Sequence, residues 1–357
     1  MPRIIFRPNP APPPFVPPVQ SAPLTFTAKA ANSTIQLKMR VSDDSLPSPN
    51  VQYSLDNGVV WNDYTFNSTE GYYRDGEVIT LNNEGDKVLM RGNNEVFSFD
   101  NYNYTYFQMT GQLDASGDVT SLMNEVGGNI ALTGIGFYNL FIACNALMTP
   151  PNLPSTTLVS NCYSGMFSYC GNLNVAPELP ALSLSDFCYY QMFRNRTALV
   201  SAPELPATTL NRFCYSQMFD ACTALVTATD LPATTLENGC YSNMFRGCTA
   251  LVNPPAMLAT TLAERCCEYM FNGCSKLTKS PELLAETLVS RCYGNMFYGA
   301  SKLSEIKAMF LTTPGTTYTE NWVKNTAASG TFTKNANATW DVTGVNGIPS
   351  GWSVETE

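Results

Sequence analysis

The sequence predicts a mainly β protein with short helices: an N-terminal β-sandwich followed by a repeat solenoid of about seven 26-residue coils. Three observations carry this prediction. The pair Met-Phe returns every 26 residues, from Met166-Phe167 to Met296-Phe297. Short alternating apolar and polar runs, broken by Asn/Gly turns, fill residues 24–112. Charged residues make up only 14% of the 357, against about 25% in an average soluble chain, which suits a Thr-, Ser- and Asn-rich β surface. The chain divides into residues 1–23, 24–115, 116–310 and 311–357.

Residues 1–23 hold nine of the 24 prolines. Proline fixes φ and lacks a donor, so this stretch reads as an extended polyproline-like arm. Ile4, Ile5, Phe6 and Phe15 have no local core to enter and are candidate anchoring residues, suited to docking in a groove of a larger assembly. From Leu24 the pattern turns to strands. Leu24–Ala28 and Thr34–Met39 alternate apolar and polar, and Val51–Leu55 leads through Asp56-Asn57-Gly58 to Val59–Trp61. Asn-Gly between such runs is a hairpin signal. Val78–Leu81, Lys87–Met90, Val96–Phe99 and Tyr104–Met109 follow, and so many short strands argue for a sandwich. Asp114–Asp118 lacks the further ligands of a calcium loop and reads as a turn.

The repeat starts near residue 132. Stepping back from Met166-Phe167 gives Leu140-Phe141, a degenerate first copy. Four residues before each Met stands a cysteine, from Cys162 to Cys292. Three after each Phe stands another, except that Arg196 and Ala300 interrupt the column. Leucines from Leu147 to Leu303 and from Leu158 to Leu288 keep the same period. One such unit cannot bury its own apolar face, whereas stacked units turn each apolar position into an internal ladder. A period of 26 lies in the range of a leucine-rich-repeat solenoid. Cys at i and Met at i+4 fall on one helical face, which predicts a short helix or 3₁₀ segment over C-Y-x-x-M-F. The Leu segment that follows is the strand that pairs with neighbouring coils. Residues 311–357, with Trp322, Trp340 and Trp352, are expected to cap the last coil, because an open solenoid end exposes core.

Net charge is −9, so no basic footprint for nucleic acid or for an anionic membrane is visible. Histidine is absent, which removes the commonest general base and the commonest metal ligand. No apolar run reaches the length of a membrane span, and Ile4-Ile5-Phe6 is too short for a leader peptide. The 12 cysteines read as reduced, buried ladders rather than disulfides or metal ligands, since no C-x2–4-C spacing occurs. Glu178, Glu204 and Glu282 simply share a repeat column, so no catalytic carboxylate pair stands out. No catalytic residue, metal or cofactor is expected. L-P-A-T-T at Leu205–Thr209 has no closing glycine and recurs within the repeats, so it is structural and not a sorting signal.

The unit C-Y-x-x-M-F-x-x-C-x-x-L resembles the BspA-like leucine-rich repeats of gut Bacteroidales and their phages. The segments Leu24–Ala28 with Tyr53–Trp61, Gly85–Gly117, and Gly330–Trp352 resemble the flanking regions of the same proteins, so the likeness spans about residues 24–357. It implies surface attachment: an adhesin, or a virion fibre or decoration protein. Secreted bacterial members carry a leader. None is read here, so the expectation is a phage virion structural protein, assembled in the host cytoplasm. Its arm would dock on capsid, tail or baseplate proteins and its solenoid on a bacterial surface glycan. A cell-surface adhesin is the alternative, and either a homotrimer or a monomer on an arm fits.

Columns that vary from unit to unit are expected to face solvent. After Met-Phe the column reads Ser168, Arg194, Asp220, Arg246, Asn272, Tyr298. Two residues before the first cysteine it reads Ser160, Asp186, Arg212, Asn238, Glu264, Ser290. Opposite charges then lie on adjacent coils about 5 Å apart. A solvated ladder of weak ion pairs accounts for this. A ligand face is the functional alternative. Its candidate residues are Arg194, Asp220, Arg246 and Asn272, with the aromatics Tyr169, Phe187, Phe213 and Tyr298 for a sugar.

Overall fold

The computed structural model describes residues 22–67 and 71–357. The arm residues Ile4, Ile5, Phe6 and Phe15 lie outside them. The fold is mainly β with almost no helix, and it carries a β-solenoid of about three turns near its C-terminus.

Nine strands open the chain: β1 (Leu24–Ala28), β2 (Ser33–Arg40), β3 (Val51–Ser54), β4 (Asn62–Asp63), β5 (Tyr73–Leu81), β6 (Lys87–Gly92), β7 (Tyr104–Thr110), β8 (Leu113–Ser116) and β9 (Leu147–Thr149). They form a sheet in the order β4-β3-β6-β1-β8-β9 and a second in the order β5-β2-β7. Strict alternation explains β2: Ser33, Ile35, Leu37 and Met39 are buried and their neighbours half-buried. Phe26 of the first sheet meets Phe107 of the second edge-on at 5.1 Å. Asn57 and Gly58 both take the left-handed conformation the turn requires. The runs Val59–Trp61 and Val96–Phe99, expected as strands, are irregular.

β8 and β9 pair in parallel, Leu113 opposite Leu147, and so join the first sheet to the repeats. The Phe107 ring stacks on Phe141 at 5.2 Å and 12°. The phenylalanine column then runs from Phe141 to Phe297 with centroids 5.5–5.8 Å apart and rings within 12° of parallel. Tyr163, Tyr189, Tyr215 and Tyr241 form a second stack, which Cys267 interrupts.

The helix expected over C-Y-x-x-M-F is not formed. Among the described residues the one helix is a 3₁₀ turn, Val119–Leu122. From Asn161 to Cys170, amides alternate in their use. Those of Cys162, Ser164, Met166, Ser168 and Cys170 donate to the carbonyl three residues back. Those of Asn161, Tyr163, Gly165, Phe167 and Tyr169 donate to the next repeat, 25 residues on, at 2.8–3.0 Å. Every fourth residue has a positive φ: Asn161, Gly165, Tyr169, and likewise Phe187, Gln191, Asn195 in the next repeat. A helix cannot pass through such positions, because an L-residue there puts Cβ against the following carbonyl. The chain instead zigzags in steps of four. Cys162, Tyr163, Met166, Phe167 and Cys170 all point inward and are buried. Cys162 and Met166 therefore share a face for a reason other than helical pitch.

β10 (Lys279–Leu283), β11 (Glu305–Ala308), β12 (Thr331–Lys334) and β13 (Ser353–Thr356) stack in parallel in that order. Earlier repeats meet at the same corner through single bridges such as Ser201 with Thr227. The segment from 311 onward thus supplies two strands of the solenoid. Within it Trp322 is fully buried beside Phe297, and its indole N–H donates to the Gly347 carbonyl at 2.9 Å.

Candidate binding strip on the turn face

Along the zigzag segments the residues between and just after the buried Cys-Tyr and Met-Phe pairs form a strip whose members range from buried to exposed. Arg194, Asp220 and Arg246 occupy it on three successive repeats. The Asp220 carboxylate accepts Arg194 Nε at 3.1 Å on one side, and Arg246 Nε at 2.8 Å and Nη2 at 3.0 Å on the other. The arginine side chains are 28% and 43% exposed, whereas that of Asp220 is 2% exposed. Variation from repeat to repeat therefore does not imply exposure: Asp220 and Ser168, both expected at the surface, are buried. Two guanidinium groups cover the carboxylate, and Ser168 aims its hydroxyl at the Arg194 carbonyl, 3.5 Å away.

Tyr169 is the most open of the expected aromatics at 46% exposure, and the Arg194 guanidinium lies 6.0 Å from its ring centre. Tyr298 is half-buried with Lys324 at 5.6 Å in the same relation. Asn272 is half-buried between them and Arg246. Phe187 and Phe213 are half-buried and stack on each other at 5.1 Å and 15°. The far face of Phe213 lies on Gly239, where an added Cβ would strike the ring. Phe213 is therefore covered on both faces and Phe187 on one. In the second column Asp186 accepts the backbone N–H of Arg212 at 3.0 Å, not its guanidinium.

Two features of the strip escaped the sequence. Glu268 is flanked by Arg265 and Arg291 at 3.7 and 3.6 Å, and Arg291 reaches Glu320 at 3.6 Å. Burial pushes the Glu268 carboxyl above its ordinary range, and the two arginines oppose that shift. Gln191 Nε2 donates to Gln217 Oε1 at 2.9 Å, and Gln217 Nε2 to the Tyr190 hydroxyl at 2.9 Å. The columns from Ser164 to Gly294 and from Gly165 to Asn295 held the signal, for they too vary in polar type.

Inside, the titratable groups are silent. All twelve cysteines are free and buried. Burial pushes Cys162, Cys170, Cys214, Cys222, Cys274 and Cys292 up to about 12, so at neutral pH they are neutral thiols without nucleophilic character. Cys170, Cys222, Cys248 and Cys274 donate to the carbonyls of Phe141, Phe193, Phe219 and Phe245 at 2.9–3.1 Å. Among the described residues no group of three or more cysteines and carboxylates is placed to hold a metal ion. No family model matches the chain, and neither a characterised protein nor a solved structure matches it.

Proposed function

We propose that this chain is a non-enzymatic attachment protein that displays a solenoid face to surface saccharides. The observation that carries the reading is the turn face: an unvarying backbone ladder bearing arginine, aspartate, glutamine, asparagine and tyrosine side chains that change from repeat to repeat. A fixed scaffold with a varied polar strip is what repeat proteins use for recognition. In this reading the hydrogen-bond pattern from Phe137 to Lys324 is one stack of seven coils, and the two N-terminal sheets form a sandwich over its first coil. The resemblance to BspA-like repeats adds the setting. The chain serves as a virion fibre or decoration protein, held to capsid, tail or baseplate proteins by the proline-rich arm.

Two measurements test this. Fluorescently labelled protein should bind bacterial cells and lose that binding after periodate oxidation of their surface sugars; binding that survives oxidation would overturn the saccharide reading. Immunogold labelling of a lysate with antibody to the repeats should decorate phage particles. Label confined to cell envelopes would replace the virion setting with a cell-surface adhesin.

A further inference from the structure

We propose that the strip around Arg194 and Arg246 binds an acidic polysaccharide through its carboxylates; the inference rests on the saccharide-binding reading and narrows it to a chemical class. Asp220 is shared by two arginines, so this stretch is locally cationic on a chain of net charge −9. The shared carboxylate also aims both guanidinium groups. It engages Arg194 only at Nε, and Arg246 at Nε and Nη2. Among the described residues Arg194 Nη1 and Nη2 and Arg246 Nη1 make no hydrogen bond, although both side chains are partly open to solvent. Guanidinium edges held by a buried carboxylate, with free donors directed outward, are prepared for carboxylate recognition at little cost in side-chain order.

The surroundings suit a sugar acid better than a lone anion. Tyr169 lies beside Arg194 and offers an exposed ring for a sugar's C–H face. Tyr190, Gln191 and Gln217 place neutral hydrogen-bonding groups along the same strip, fixed by their own contacts. Arg194 and Arg246 stand two repeats apart, about 10 Å at the usual strand spacing. Lys324 continues the column, exposed beside Tyr298. Cations at such intervals suit a polymer whose carboxylates recur along its length, while the acidic remainder of the molecule opposes the denser charge of nucleic acid.

The test is calorimetric titration of the full chain with polygalacturonate, alginate and hyaluronan, and with the carboxyl-reduced form of each. At least one acidic polymer should bind about tenfold or more tightly than its reduced form, and the preference should shrink as salt rises. Arg194→Gln should remove most of the preference. Arg194→Lys keeps the charge but loses the fork, and should restore only part of it. Val59→Ala, an exposed side chain outside the repeats, should change nothing. Equal binding of acidic and reduced polymers would overturn this inference and leave saccharide binding standing. A preference untouched by Arg194→Gln in a variant that melts like the parent would also overturn it. Binding of neither form, together with cell binding that survives periodate, would remove the saccharide reading itself.

Discussion

A guanidinium sits at position 196 in a column otherwise filled by thiols and one alanine. Arg196 is fully buried, stacks 5.3 Å from the Phe193 ring, and donates from Nη2 to the Val175 carbonyl at 3.3 Å. Among the described residues its Nε and Nη1 find no partner. Burial lowers its pKa from 12.5 to about 10, which corresponds to roughly 3 kcal/mol against the charged form. Neighbouring repeats solve the same position with a cysteine that donates to a phenylalanine carbonyl 29 residues back. Arg196→Cys should therefore let the thiol reach the Phe167 carbonyl and raise stability by about 1–3 kcal/mol, as replacing a buried ion by a fitting neutral group often does. Urea denaturation of the two proteins measures this. A variant less stable than the parent would mean that the guanidinium fills volume the thiol cannot replace. The sequence revealed Arg196 as an exception to its column but not what the exception costs, because that depends on which carbonyls lie within reach.

The zigzag segment shows what periodicity leaves out. A spacing of four between Cys162 and Met166 is equally natural for a helix and for a chain that steps in fours, and the chain takes the second form. The deciding signal lay in Asn161, Gly165, Gly239, Asn243, Gly247, Gly273, Asn295 and Gly299, residue types that tolerate left-handed backbone, recurring at the same positions of the repeat. It was masked where Phe187, Gln191, Ala221 and Tyr269 take those places with φ of 55–60°. Such residues bear conformational strain, and two substitutions with opposite signs test that. Ala221 shares a column with Gly247, Gly273 and Gly299, so Ala221→Gly should stabilise by about 0.5–1 kcal/mol, the left-handed penalty less the entropy glycine adds to the unfolded chain. Gly239→Ala should destabilise by about 2 kcal/mol, because its Cβ meets both a left-handed backbone and the Phe213 ring. Chemical denaturation at neutral pH reads both, and equal effects of the two would refute the assignment of strain.

At the scale of the molecule the 26-residue period was the legible part. It located the inward cysteine, methionine, phenylalanine and leucine columns, all of which are buried. The surface strip was less legible: Arg194, Asp220 and Arg246 do meet, yet Asp220 is covered by its partners, and no single-column reading shows which side chain overlies which. The same columns give the whole fold a pH limit. Six of the buried thiols have folded-state pKa values of about 12, against an ordinary value of 9.0. Since the folded values are raised, the thiols' contribution is intact below about pH 9 and is lost as pH rises toward 12: the unfolded chain releases protons that the folded chain retains. Each such thiol then costs about 1.4 kcal/mol per pH unit, and several titrating together approach the 5–15 kcal/mol by which domains are usually stable. Unfolding followed by circular dichroism in a reducing buffer should therefore set in steeply within about one to two units above pH 9, while thiol reagents at pH 8 leave all twelve cysteines unmodified until denaturant is added. Rapid labelling at pH 8 in the native state, or melting that is flat through pH 11, would show that the cysteine columns are open to water and not a packed interior.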